Sequence, residues 1–190
     1  TVLTAVNLVG ASSAAAHVGV PAALAGVQAV AAVAVASTGA VYFGDTARVH
    51  RLDPTGLVTT VAGGGNALGD FGPAVGAQLS NVVGLALDEA GGRLYISERN
   101  SDRVRRVDLA TGIIVTQAGG GAATTAPWGD GGLATNAVLA TPAAISLGPD
   151  GALYIADTQH ARIRRVDLTT NVITTALVAA TSCDGLSANV

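Results

Sequence analysis

The chain has 190 residues, of which 49% are apolar, 12% charged and 3% aromatic. A chain of this length can bury a sizeable core, so neither a disulfide framework nor a structural metal is required, and its single cysteine cannot form an internal disulfide. The net charge is −3, and the ten basic residues form no cluster. Composition therefore argues against a nucleic-acid partner.

The first 44 residues carry no Asp, Glu, Lys or Arg. Residues 18–44 are long enough to cross a bilayer, but they are mostly Ala, Val and Gly, contain Pro21 and Gly26, and align with strands of later copies of a repeat. We expect strands here and no membrane span. No stretch has the basic flank and cleavage site of a signal peptide.

One pattern recurs three times along the chain. It places Tyr42, Tyr95 and Tyr154 at equivalent positions, 53 and 59 residues apart. A period in this range indicates repeated supersecondary units that pack on one another.

Each copy predicts four strands. In the third copy, apolar and β-branched segments are separated by turn clusters such as Gly148-Pro-Asp-Gly151. The predicted strands are 31–35, 40–44, 48–52 and 57–62, then 82–87, 93–97, 103–107 and 113–117, then 143–147, 152–156, 162–166 and 172–177. Gly56, Gly112 and Asn171 align after the third strand of each copy, which predicts a turn residue with positive φ.

Four antiparallel strands per unit, repeated in tandem, are typical of the blades of a β-propeller. The sequence thus predicts an all-β fold, a single propeller segment over residues 1–190 with blades at 29–64, 82–119 and 142–178. Residues 1–10 resemble the last strand of a preceding blade, and residues 179–190 the start of another inter-blade loop. Three blades are too few to close a ring, so we expect a longer polypeptide or partner chains to complete it.

The third copy resembles the NHL repeat. The matching residues are Gly129–Leu139, Gly151–Asp157 and Arg162–Asp167. They are most similar to the long-repeat version of secreted and cell-surface proteins, and the other copies follow the same order. The resemblance implies a propeller, commonly of six blades, and an extracellular or cell-surface location.

Acidic residues end the second strand of each copy, and arginines begin the third. We expect each acid to form a structural ion pair with the arginine across the hairpin rather than a row of ligand contacts. The predicted pairs are Asp45 with Arg48, Glu98 with Arg103, and Asp157 with Arg162. His50 occupies the position of Arg105 and Arg164, and we interpret it as a surface substitution.

Asp70, Asp130 and Asp184 lie in the Gly-rich loops between copies. One oxygen ligand per loop makes a poor calcium site, and Asp more often caps a turn through its own backbone. The histidines fall in different contexts of the repeat, which does not predict a zinc site. We expect no metal, no cofactor and no catalytic residue.

The loop Gly119–Thr141 is about six residues longer than its equivalent and holds the single tryptophan, Trp128. An aromatic residue in a Gly-, Thr- and Pro-rich loop either anchors a partner or packs the loop onto the blade edge. Trp128 and the nearby Asp130 are therefore the candidate interaction residues of this loop.

These patterns favour a non-enzymatic, extracellular scaffold or interaction module with a protein or glycan partner, or with further blades of the same protein. Low charge and open ends also suggest self-assembly into a larger array or filament. Two alternatives remain: a fragment of a propeller hydrolase or lyase, or of a ligand-sensing ectodomain, with its site in other blades.

Overall fold

The computed structural model describes residues 19–22, 25–27, 29–122 and 127–178. These residues form antiparallel strands joined by turns, with short 3-10 turns at Ala74–Gly76 and Ala134–Asn136. The segments 1–10 and 179–190, predicted to belong to flanking blades, lie outside the described residues.

The strands form three sheets, which we call blades 1, 2 and 3. Blade 1 contains β1 (Val20–Pro21), β2 (Ala32–Val35), β3 (Val41–Gly44), β4 (Arg48–Leu52) and β5 (Leu57–Gly63), in the order β1-β5-β4-β3-β2. Blade 2 contains β6 (Gly72–Pro73), β7 (Val82–Asp88), β8 (Arg93–Glu98), β9 (Arg103–Asp108) and β10 (Ile113–Gly119), in the order β6-β10-β9-β8-β7. Blade 3 contains β11 (Pro142–Leu147), β12 (Leu153–Asp157), β13 (Arg162–Val166) and β14 (Ile173–Val178) in sequential order.

Blades 1 and 2 each have one strand more than the four predicted. The extra strands, β1 and β6, come from the loop that precedes each blade and pair with its last strand. In blade 3 the same place holds an isolated bridge between Leu133 and Val172. The loop is thus fixed along the outer edge of the blade that it enters, which protects that edge.

The blades pack face to face. We call the side that a blade turns toward its successor the forward face, and the opposite side the backward face. The forward face of blade 1 contributes Tyr42, Val49 and Ala62 to a buried cluster with Leu94 and Ile96 of blade 2. A second cluster joins blade 2 to blade 3 through equivalent residues, including Tyr95, Val104, Ala118, Leu153 and Ile155. Because no blade can bury both faces alone, these interfaces form most of the core. A third, smaller cluster joins the backward face of blade 1 to the loop that precedes it, through Ala25, Val27, Phe43 and Val58.

The first strands of consecutive blades lie side by side, β7 between β2 and β11. Gly84 marks the closest approach, since a Cβ atom there would lie 2.7 Å from the Ala143 carbonyl oxygen. The Ser97 hydroxyl donates a hydrogen bond of 2.6 Å to that same oxygen. Blades 2 and 3 therefore meet through backbone as well as through apolar side chains.

The predicted left-handed turn residues are confirmed. Gly56, Gly112 and Asn171 have φ values of 91°, 70° and 57°. In each turn a preceding aspartate accepts backbone hydrogen bonds, as Asp108 does from Ala110 and Thr111. The bonds from Thr111 and Ala110 lower the pKa of Asp108.

The outward-facing sides of the first and last blades carry exposed apolar residues whose equivalents in the other blades are more buried. On the backward face of blade 1, Val33 and Val35 are 61% and 63% exposed. On the forward face of blade 3, Ile163 and Leu177 are 37% and 57% exposed, whereas their equivalents in blades 1 and 2 are buried.

Candidate functional site

A buried arginine lies at the same place in blades 2 and 3. Arg105 and Arg164 sit in the middle of β9 and β13, and both are fully buried. In blade 3, Arg164 Nη1 lies 3.3 Å from Asp157 Oδ2, and Nη2 lies 2.5 Å from Asp130 Oδ1. In a buried site such compensation is required, because an unpaired charge there is costly.

The same arrangement in blade 2 uses Glu98 and Asp70. Arg105 Nη1 lies 3.5 Å from Glu98 Oε2, and Nη2 lies 2.5 Å from Asp70 Oδ1. The guanidinium also donates to the Leu68 carbonyl at 2.8 Å, as Arg164 does to Trp128 at 3.4 Å. Each arginine therefore holds an inter-blade loop onto the end of a β-hairpin.

Blade 1 has a different version of this site. His50 replaces the arginine and its Nε2 lies 3.2 Å from Asp45 Oδ2, while its ring stacks on Phe43 with centroids 5.2 Å apart. Burial raises the pKa of Asp45, but hydrogen bonds from His50, Ala47 and Arg48 outweigh this and leave the pKa below its usual value.

The predicted hairpin ion pairs were wrong by two residues. Each acid pairs with the third residue of the following strand, namely His50, Arg105 and Arg164, rather than with the arginine that begins it. Arg48 meets Asp45 only through its backbone N–H at 2.8 Å, and Arg103 donates to the Ser101 carbonyl. The right-handed twist of the strands favours this diagonal pairing.

The interpretation of His50 as a surface substitution was also wrong, because the residue is fully buried. Asp70 and Asp130 do not simply cap their own turns; both pair with a buried arginine, and Asp130 also accepts from the Thr175 backbone N–H at 3.0 Å. Asp184 and His17 lie outside the described residues.

Trp128, one of the candidate interaction residues, stacks on His160 with ring centroids 4.1 Å apart and an angle of 12°. His160 Nδ1 lies 2.9 Å from Asp157 Oδ2. One face of the indole is thus used within the blade, and Trp128 as a partner contact stays a prediction. Within the described ranges, no group of three or more His, Cys, Asp and Glu side chains could hold a metal ion.

A sequence signal for the buried arginine was available. The second and third copies have both a loop aspartate and an arginine in the middle of the third strand. In the first copy Val18 stands at the sequence position of Asp70, and His50 at that of Arg105. Both partners change together in the first copy, which is the pattern expected of residues in contact.

No protein-family model matches the chain. Teneurin-3 of Danio rerio is 33% identical in an alignment of 150 residues, which covers 72% of this chain and 5% of Teneurin-3. Virginiamycin B lyase from Staphylococcus aureus, solved with quinupristin, has a TM-score of 0.53 at 20% identity, covering 82% of this chain and 43% of that chain. The nidogen/laminin complex contains a chain with a TM-score of 0.55 at 17% identity, covering 77% of this chain and 47% of that chain.

These likenesses and the sheet topology show the fold: the chain is an all-β protein of the β-propeller type. It spans a twentieth of Teneurin-3 and less than half of each solved structure. None of the helical turns in the described residues has the length and hydropathy to cross a bilayer. Within the apolar segment 18–44, the strands expected from the sequence are present as β2 and β3.

Proposed function

We propose that this chain is a non-enzymatic interaction module built from NHL-type propeller blades, acting outside the cell through a protein partner. The repeat pattern and the identity to Teneurin-3 over 72% of the chain support the NHL assignment. The resemblance to the long-repeat type of secreted and cell-surface proteins supports the proposed extracellular location. The main support for the interaction role is the exposed, left-handed Phe71.

Phe71 is 83% exposed and has a φ of 64°. Its structural equivalents in the other two loops are glycines, Gly19 with φ 61° and Gly131 with φ 81°. Left-handed backbone is costly for a residue with a Cβ atom, by about 1–2 kcal/mol. An exposed ring at such a position gains nothing from burial that would offset this strain.

The loop presents Phe71 rigidly. Its backbone N–H donates to the Ile114 carbonyl at 2.8 Å, and the next N–H, of Gly72, donates to Gly69 at 3.0 Å. Val75, on the same loop, is 49% exposed. A strained residue that holds an aromatic ring in solvent is typical of a contact site, and aromatic rings often anchor protein interfaces.

The first test separates folding from contact at this residue. We expect Phe71→Gly to raise the free energy of unfolding by about 1 kcal/mol, because glycine relieves the left-handed strain. Urea unfolding of the parent and the variant measures this. A loss of stability would mean that Phe71 serves the fold, and the proposal would then lose its main support.

The second test looks for the partner. A photoreactive phenylalanine analogue at position 71, in the full-length protein on its native cell, should form a covalent adduct that excess unlabelled parent protein competes and the Phe71→Gly variant does not. The same analogue at Thr55, an exposed turn residue of blade 1, serves as the control. Identical adducts at both positions, or none at position 71, would contradict the proposal. An adduct that contains only glycan would show that the partner is a glycan and not a protein.

Self-association through the open faces is a second part of the proposed function. Val33 and Val35 on blade 1, and Ile163 and Leu177 on blade 3, are equivalent to residues that pack between blades elsewhere. Docking of a further blade on either face, from this chain or another, would bury them in the geometry that the chain already uses twice.

A further inference from the structure

The inter-blade loop and hairpin of blade 2 enclose a cleft that is filled in blade 3. The two sites have the same order of residues, but the loop backbone differs at one point. Trp128 has a φ of 60° and its carbonyl accepts from the Val138 N–H, whereas the Gln78 N–H donates to the Ala67 carbonyl. Ser80 and Ala140 donate their backbone N–H to the hairpin acid at 2.7 Å in both blades. Leu68 corresponds to Trp128, since both carbonyls accept from the buried arginine, and Ser101 corresponds to His160 in hairpins of equal length.

In blade 3 two rings occupy this place. The Trp128 indole lies flat on the His160 imidazole, with centroids 4.1 Å apart, and His160 Nδ1 lies 2.9 Å from Asp157 Oδ2. The acid therefore has two side-chain partners on one oxygen, the imidazole and Arg164.

In blade 2 both rings are missing. Leu68 and Ser101 leave a cleft of about 350 Å³, which is also lined by Gln78, Ser80, Glu98 and Arg103. This volume is at the lower end of the range for small-molecule sites. Glu98, which is almost fully buried, forms the polar floor of the cleft.

The floor lacks the partner that His160 supplies in blade 3. Glu98 Oε2 and the Ser101 hydroxyl make no hydrogen bond of good geometry with any described residue, and neither does Arg105 Nη1, although Nη1 is only 3.5 Å from Oε2. Burial raises the pKa of Glu98 and outweighs the lowering by the Ser80 N–H and by the positive charge of Arg105. Buried polar atoms in native proteins almost always have partners.

We propose that the blade 2 cleft binds a small planar heteroaromatic ring that carries an N–H donor, in the place that Trp128 and His160 fill in blade 3. The N–H donates to Glu98 Oε2, and the ring lies against the Leu68 side chain. Charge selects a neutral ring, because Glu98 and Asp70 balance Arg103 and Arg105 around the cleft. This inference does not depend on the role of Phe71.

Benzimidazole is a suitable probe, because it combines a fused ring with an N–H donor. Titrated into the ¹⁵N-labelled chain, it should shift the backbone amide signals of Leu68, Ser80 and Ser101 saturably and leave those of blade 1 unchanged. Methyl glucoside, a non-planar hydroxylated probe of similar size, should produce no shifts. The absence of saturable shifts with benzimidazole, or shifts of the same size with the glucoside, would overturn the proposal.

A matched pair of variants tests the location. The double variant L68W/S101H places an indole and an imidazole at the two positions that hold rings in blade 3. It should weaken benzimidazole binding at least tenfold while keeping the amide spectrum dispersed. The reverse variant W128L/H160S should create a second saturable set of shifts around Ala140. If the double variant does not fold, S101H alone supplies the missing donor and should weaken binding. Binding unaffected by the variant that folds would overturn the assignment.

Discussion

Single residues in this chain carry buried charge that other residues must balance. Arg164 is fully buried between Asp157 and Asp130, which come from the hairpin and the preceding loop. Its neighbour Arg165 lies on the partly exposed side of the same strand and pairs with Asp150 at 2.9 Å. The two arginines therefore form a matched pair that differs chiefly in burial.

We expect Arg164→Met to lower the free energy of unfolding by about 3–5 kcal/mol, because it leaves two acids without their cation. Arg165→Met should have a much smaller effect, since solvent screens an exposed pair. Urea denaturation of both variants at neutral pH measures the difference. Equal effects would show that the buried pairs do not stabilise the loop.

A second effect of a single residue is the contribution of Glu98 to the pH dependence of the free energy of unfolding. Its pKa is raised in the folded protein by burial, so the folded state binds the proton more tightly than the unfolded chain. The resulting stabilisation is fully present below the unfolded pKa of about 4.3 and is lost as the pH rises through the folded pKa. Relative to the parent, Glu98→Gln should therefore gain stability across that window; parallel curves of unfolding free energy against pH would contradict this.

At the scale of elements, the blades depend on close backbone contact between β7 and β11. A methyl group on Gly84 would lie 2.6 Å from Ser97 Oγ and 2.7 Å from the Ala143 carbonyl. We expect Gly84→Ala to cost about 1–3 kcal/mol of stability, the usual range for overpacking. Gly76→Ala is the control, since a Cβ there meets nothing within 4 Å, and surface changes of this kind alter stability by no more than about 0.5 kcal/mol. Equal losses of stability in the two variants would show that the close contact at Gly84 does not matter for packing between the blades.

Elements were more predictable from the sequence than the contacts between them. Strands such as 103–107 and the turn at Gly112 follow from local patterns of β-branched and turn residues. Because the repeat occurs three times, each pattern can be compared between three copies. The partner of Glu98 did not follow from such a pattern. Arg103 is directly opposite in register, but strand twist and the burial of the strand middle select Arg105 instead.

The cleft of blade 2 was unpredictable for another reason. It results from the smaller, non-aromatic side chains of Leu68 and Ser101. The difference becomes visible only when the equivalent rings, Trp128 and His160, are seen in contact in blade 3. The sequence marked Trp128 because it is the single tryptophan, but the sequence did not connect it to a histidine 32 residues further along.

At the scale of the whole molecule, the open faces predict association. We expect the double variant I163E/L177E to be more monomeric than the parent chain in sedimentation velocity, because charge on the forward face of blade 3 opposes docking of another blade. Thr169→Glu, on an exposed turn of the same blade, should leave the sedimentation profile unchanged. A parent that is monomeric at high concentration would contradict self-association through this face.

The pairing of loop acid and strand arginine restricts which parts of the repeat can be exchanged. A loop transplanted from the front of blade 2 to the front of blade 1 would bring an aspartate to a strand that carries His50, and a chimera of that kind would need the histidine changed to arginine. Recombination that cuts at the start of each loop keeps acid and cation together. The natural modular unit of this protein is therefore a loop with the four strands that follow it, and libraries assembled from that unit should fold more often than those cut between loop and blade.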